Sequence, residues 1–215
     1  MLPVDADYTK TEKDTICVGL KNLVASKRVT LRTVQAIQEN PKYTRYTKAL
    51  ERYADKMNEE IYRDAQSIVD VLVSYAIERK GNSSDSEAYF LKLTADFLRY
   101  QCEVLKGNKL KEMKEQTSNY YKRAEKIADK LHYCSSTRMS IALNHGCFIY
   151  EVMMDTKRAN QIVNIAMSKA QQTLGSCDEE VYVEAVHIME MMRENQAIWK
   201  GDDPTKLPPM QQPAF

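Results

Sequence analysis

Between Pro3 and Pro204 the chain carries a single proline, Pro41. Proline breaks helix interiors by removing a donor and crowding the preceding turn, so a body this poor in proline permits long helices. Six glycines in 215 residues add few further breaks. The body is rich in Ala, Leu, Met, Glu, Lys and Gln, the residues that favour helix. These features predict an all-α fold.

Apolar periodicity then places the helices. Ile16, Leu20, Leu23, Leu31, Val34 and Ile37 form the first stripe, with Thr11 as the expected cap and Pro41 as the stop. A second helix is expected over 43–78, with Leu50, Tyr53, Met57, Ile61, Ile68, Leu72 and Tyr75 near one side. After the loop GNSSDS, further helices are expected over about 86–105, 109–131 and 137–153. A sixth, capped by Asp155 or Thr156, ends at Gly175, and a seventh opens at Ser176 or Asp178 and ends near Trp199. Seven helices joined by short turns pack as antiparallel neighbours. We read a 1–10 lead-in, one helical domain over 11–200 and a proline-rich tail over 201–215 that is extended or folds back as a self-ligand. No fixed-period repeat of the tetratricopeptide kind is present.

Composition removes several function classes. Thirty-one basic residues nearly cancel thirty acidic ones, so bulk nucleic-acid binding has no electrostatic basis and any anion site is a local cluster. Five widely spaced cysteines with no CxxC pair fit reduced thiols in the cytoplasm or nucleus, not a disulfide frame or zinc knuckle. No run is long and apolar enough to cross a membrane, so no membrane partner is expected. His132, His145 and His187 match no HExxH or Cys/His pattern, and His145 and Cys147 fall on different helix faces. GxGxxG, the Walker loop and GxSxG are absent. The expectation is a non-enzyme without metal or cofactor.

Four clusters remain. In AYFLKLTADFLRYQCEVLKG, Lys92, Asp96, Arg99 and Glu103 make a narrow charged stripe on a helix that is apolar on most other sides. In KNLVASKR, Lys21 and Arg28 lie seven apart on nearly one face, flanked by Lys27 and Arg32. In SIALNHGCFIYE, Asn144 and Glu151 are also seven apart. In MEMMRENQAIWK, Met191, Asn195 and Ile198 share a face. Each pattern fits a solvated or core-packing face as well as a lined groove. Arginine forks with a tyrosine hydroxyl suit phosphate oxygens, and methionine suits an adaptable groove wall.

The order KNLVASKR, YFLKLTADFLRY, IALNHGCFIYE, IMEMMRENQAIW resembles the 14-3-3 proteins from about Thr11 to Trp199. The resemblance implies an antiparallel helical domain with right-angled helix layers and a concave groove. It also implies an adaptor that binds phosphoserine or phosphothreonine segments of client proteins in extended form. On this resemblance Lys21, Arg28, Arg99 and Tyr100 form the phosphate pocket. Arg32, Asp96, Lys92 and Glu151 support it, and Asn144 and Asn195 hold the peptide backbone. Leu143, Cys147, Met191 and Ile198 make the apolar wall, with Trp199 near the rim. Cys147 stands where a valine is usual and Met191 where a leucine is, which affects flanking-residue preference. Tyr53, Lys56 and Glu60 look like the family's dimer residues. Family members have two helices before the first one matched here, so a weakened or altered dimer, or a monomer, is expected. An alternative reading keeps the groove and drops the phosphate dependence.

Overall fold

The computed structural model describes residues 7–201. The lead-in before residue 7 and the tail after residue 201, including its self-ligand reading, lie outside the described residues. Seven α-helices make up the described chain: α1 (Lys10–Gln38), α2 (Thr47–Val71), α3 (Ser84–Cys102), α4 (Gly107–Ala128), α5 (Ser136–Glu151), α6 (Thr156–Thr173) and α7 (Glu179–Lys200). None of them is long and apolar enough to cross a membrane.

The caps follow from side-chain spacing. Thr9, not Thr11, opens α1: its hydroxyl accepts from the backbone N–H of Glu12, whose carboxylate accepts from the backbone N–H of Thr9. That reciprocal pairing uses a glutamate three residues after the cap, where Thr9 has Glu12 and Thr11 has the shorter Asp14. Ser83, Ser135, Asp155 and Asp178 cap α3, α5, α6 and α7 in turn. Pro41 opens a 3₁₀ turn (Pro41–Tyr46) between α1 and α2, and α2 widens into a π-helical turn at Leu72–Ile77. Gly107 starts α4 at φ +61°, a left-handed conformation glycine adopts without a Cβ clash.

α3 is the centre of the molecule. Every residue over 90–102 is buried, and the helix packs against α2, α4 and α5. Phe90, Leu91, Leu93, Phe97 and Leu98 are fully enclosed, as expected for a helix that is apolar nearly all round. α5 is buried almost as completely and contacts α3, α4, α6 and α7. Gly146 permits its close approach to the last two helices. A Cβ there would stand 2.8 Å from Val163 Cγ2 and 3.1 Å from the Trp199 ring. Trp199 in turn stacks on Tyr150, ring centroids 5.3 Å apart.

Polar cross-links join the odd-numbered helices along one side. Arg28 on α1 bonds Glu103 just after α3, Arg99 on α3 bonds Glu151 on α5, and Lys10 on α1 pairs with Glu180 and Glu184 on α7. Arg28, Arg99 and Glu151 among these are candidate residues of the sequence.

Candidate functional site

The charged stripe of α3 is not a wet face. Lys92 is 3 % exposed, Asp96 0 % and Arg99 7 %. Buried charges persist only when paired and hydrogen-bonded, and each of these has partners. Asp96 accepts from the Tyr121 hydroxyl at 2.7 Å and from Asn144 Nδ2 at 2.9 and 3.0 Å, with Lys92 Nζ 3.7 Å away. Burial alone would raise the Asp96 carboxyl, but Lys92, Lys21, Arg99 and the Tyr121 hydroxyl outweigh it and hold it below the usual carboxylate range. Burial pushes the Lys92 ammonium down, with Lys21 adding to the fall and Asp96 opposing it.

Arg99 and Arg28 flank Tyr100. The Arg28 guanidinium carbon lies 3.8 Å from the centre of the Tyr100 ring, and that of Arg99 lies 5.1 Å from it. Arg28 grips Glu103 with two nitrogens, Nε at 2.9 Å and Nη2 at 2.6 Å. Arg32 Nη2 stands 3.9 Å from the same carboxylate. Arg99 Nη1 donates to Glu151 at 2.7 Å, while its buried Nε has no acceptor among the described residues. Burial works against the Arg99 charge, but Glu151, Tyr121, Tyr100 and Asp96 together raise its pKa well above the ordinary value. Lys21 completes the group: burial lowers its pKa, yet Asp96, Tyr100 and Cys17 leave it raised.

A cleft of about 250 Å³ opens beside the Arg28, Glu103 and Glu151 part of this cluster, walled also by Arg32, Lys114 and Val152, while Lys21, Lys92, Asp96, Arg99 and Tyr100 lie outside its lining. Lys21, Arg28, Arg32, Lys92 and Arg99 face Asp96, Glu103 and Glu151, so the cluster itself holds two more cations than carboxylates, and Lys114 on the cleft wall adds a third. Such a surplus, desolvated by its walls, attracts a dianion.

The remaining candidates fall into place unequally. Both bonds that Asn144 donates go to Asp96, which fixes the amide and leaves Oδ1 as its free acceptor among the described residues. Asn195 is 5 % exposed and makes no side-chain hydrogen bond to a described residue. Its neighbour Gln196 instead ties α7 to Asn160 and Asn164 of α6. Met191 and Ile198 are partly exposed, whereas Leu143 and Cys147 are buried. Trp199, expected near the rim, is 2 % exposed and packs on Tyr150 beneath the surface. An aromatic of that size, with Gly146 and Tyr150 beside it, is worth more buried than at an edge. Lys27 turns away from the cluster to Glu60, 3.0 Å, and Asp64 on α2. Tyr53 is exposed, and Lys56 stands 3.8 Å from Glu60, so the three residues placed at a dimer face share the outer side of α2.

Sequence reasoning missed three contributors. Glu103 was visible on the stripe but not as the partner of Arg28. Tyr121 and Lys114 come from α4, where only the helix period hinted at an inward-facing tyrosine. The fold also gathers His132, Cys134 and Cys177, whose ligating atoms lie within 4.8 Å of one another although their sequence spacing fits no metal motif.

Comparison with known proteins identifies the family. The family model described as 14-3-3 protein matches residues 1–200. The chain is 27 % identical to 14-3-3 protein 2 of Entamoeba histolytica, over 89 % of this chain and 81 % of that one. It is 26 % identical to 14-3-3-like protein 2 of Caenorhabditis elegans, over 93 % and 81 %. It is 29 % identical to the checkpoint signal transducer rad24 of Schizosaccharomyces pombe, over 92 % and 74 %. With this match over residues 1–200 of an all-helical chain, the chain belongs to the 14-3-3 family, whose membership supports a regulatory, protein-binding adaptor role.

Proposed function

We infer that the groove binds client proteins through a phosphoserine or phosphothreonine held by Lys21, Arg28, Arg99 and Tyr100. The observation that carries this is the surplus of two positive charges gathered about Tyr100, with Lys92 and Arg99 buried and Arg28 and Lys21 half-buried. A phosphomonoester near neutral pH carries a charge of about −1.5 to −2 and offers three strong acceptors. It therefore balances the surplus, where a single carboxylate does not. On binding, the phosphate takes donors from Arg28 and Arg99 that Glu103 and Glu151 now share, together with the Tyr100 hydroxyl. Arg32, Lys92 and Asp96 hold the cluster in register. Asn144 Oδ1 and the Asn195 amide fix the backbone of an extended peptide on either side. Met191 and Ile198, backed by Leu143, Cys147 and Trp199, receive an apolar flanking residue.

The reading is of a binding protein without catalysis, acting in the cytoplasm on phosphorylated partners. Self-association through Tyr53, Lys56 and Glu60 is weakened on this reading, since Lys27 of the same chain holds the Glu60 carboxylate. Sedimentation showing a tight dimer at micromolar concentration contradicts that part. The phosphate reading is tested by Arg28→Ala in a titration with a phosphoserine peptide. Binding should weaken by roughly 10- to 100-fold while far-UV helicity is retained, and undiminished affinity overturns it.

A further inference from the structure

Away from the groove, the turn between α4 and α5 meets the turn between α6 and α7. It brings together His132, Cys134 and Cys177. We propose that these three residues form a binding site for a thiophilic divalent cation of the zinc class. The ion is held by His132 Nδ1 and the two cysteine sulfurs, and it ties the two turns together.

The geometry is close to what such an ion needs. The three ligating atoms lie within 4.8 Å of one another, and Cys177 Sγ is 3.9 Å from His132 Nδ1. With zinc–sulfur bonds of about 2.3 Å and zinc–nitrogen bonds of about 2.0 Å, ligands on a tetrahedral ion are roughly 3.5–3.8 Å apart. Closing the site therefore takes side-chain adjustments of about 1 Å or less. Soft thiolates with an imidazole are the donor set that selects zinc over magnesium or calcium.

The hydrogen bonds around the three residues also fit. The backbone N–H of Cys134 donates to His132 Nδ1 at 3.2 Å, so that nitrogen carries its lone pair on the side of the cysteines. A cation replaces that N–H on the same lone pair. Cys134 is buried and its thiol is held by the Ala170 carbonyl at 3.3 Å and the Thr173 hydroxyl at 3.5 Å. On binding, each thiol gives its proton to solvent, and the Thr173 hydroxyl can turn to donate to the resulting thiolate. Two thiolates neutralise the divalent charge, so the half-buried complex carries no net charge to desolvate.

The fourth position faces a cleft of about 380 Å³ lined by Ser135, Ser136, Ser176 and Asp178. The Asp178 carboxylate already accepts the Val181 N–H at 2.9 Å as the α7 cap. The other carboxylate of the cleft, Glu184, is paired with Lys10, so water from the cleft takes the fourth position. The site anchors the start of α7, the helix that carries Met191, Asn195 and Ile198 to the groove.

The test is a titration of the reduced, chelator-treated full chain with Zn²⁺ alone, against a chromophoric competitor, with Co²⁺ as a spectroscopic substitute. One equivalent should bind, raise the melting temperature and give thiolate-to-cobalt charge-transfer bands. Cys177→Ser and the exposed His132→Ala should each weaken binding by at least about tenfold. Cys134 is too enclosed to serve as the sole variant. Absence of saturable binding overturns the proposal, as does binding that both variants retain. A Cys134–Cys177 disulfide in the oxidised protein, with no metal bound by the reduced form, also overturns it.

Discussion

The Arg28 guanidinium sits over the Tyr100 ring, 3.8 Å from its centre, while two of its nitrogens hold Glu103. One residue of α1 is thus fixed from both sides by α3. The ring limits the fork on one side and the carboxylate sets its rotation. A guanidinium held this way has little rotamer freedom left to lose when a phosphate arrives.

Arg28→Ala should weaken a phosphoserine peptide by roughly 10- to 100-fold, since a charge-assisted hydrogen bond contributes about 1.5–3 kcal/mol. Arg28→Lys should recover only part of that, because an ammonium keeps the charge and loses the fork. Arg32, 3.9 Å from Glu103, leaves that carboxylate a cationic neighbour in either variant. Calorimetric titration reads the affinity. Equal affinity for the lysine variant and the parent would show that the fork geometry is irrelevant.

Asp96 should be the costliest single position of the cluster. Asp96→Ala strands Lys92, the Tyr121 hydroxyl and the Asn144 amide, all buried. Removing one partner of a buried charge network costs about 3–5 kcal/mol. Urea denaturation should show that loss at neutral pH. A change below about 1 kcal/mol would mean the network is solvated.

The same carboxylate sets an acid limit. Its folded pKa lies below the ordinary value, so the folded chain binds this proton less readily than the unfolded chain. The stability it contributes is complete above the unfolded value near 4. It is lost as pH falls through the lower folded value. The urea midpoint of the parent should drop on acidification below about pH 4, and that of Asp96→Asn should drop less. Identical slopes for the two proteins would remove Asp96 as the cause.

How much of this was legible beforehand depended on the kind of signal. The helices were legible because apolar period, caps and the lone mid-chain Pro41 act locally. The exception, the α1 cap, turned on a side-chain reciprocity between Thr9 and Glu12. Lys92, Asp96, Arg99 and Glu103 were legible as a stripe, but period alone could not say whether that stripe was wet. Its burial comes from α4 and α5 closing over it, and the Arg28–Glu103 pair comes from helices far apart in sequence. His132, Cys134 and Cys177 were invisible as a group for the same reason.

Gly146→Ala should destabilise the fold even though alanine is the better helix former by about 1 kcal/mol. The added Cβ meets Val163 at 2.8 Å and the Trp199 ring at 3.1 Å, and overpacking of this kind costs about 1–3 kcal/mol. Val163→Ala in the same chain should recover part of the loss by making room. Trp199 is the chain's one tryptophan, so its fluorescence reports the displacement directly. A Gly146→Ala protein as stable as the parent, with unchanged emission, would show that the α5–α7 contact is loose.

The central claim is that the cation cluster around Tyr100 requires a phosphate dianion. Its most direct test is a single titration pair: one extended serine peptide and its phosphorylated twin, measured with the parent chain at the same salt concentration. The account predicts saturable binding of the phosphorylated peptide and at least about 100-fold weaker binding of its twin, the loss of more than one charge-assisted contact. Equal affinity for the two peptides would contradict it and leave a groove that binds without phosphate.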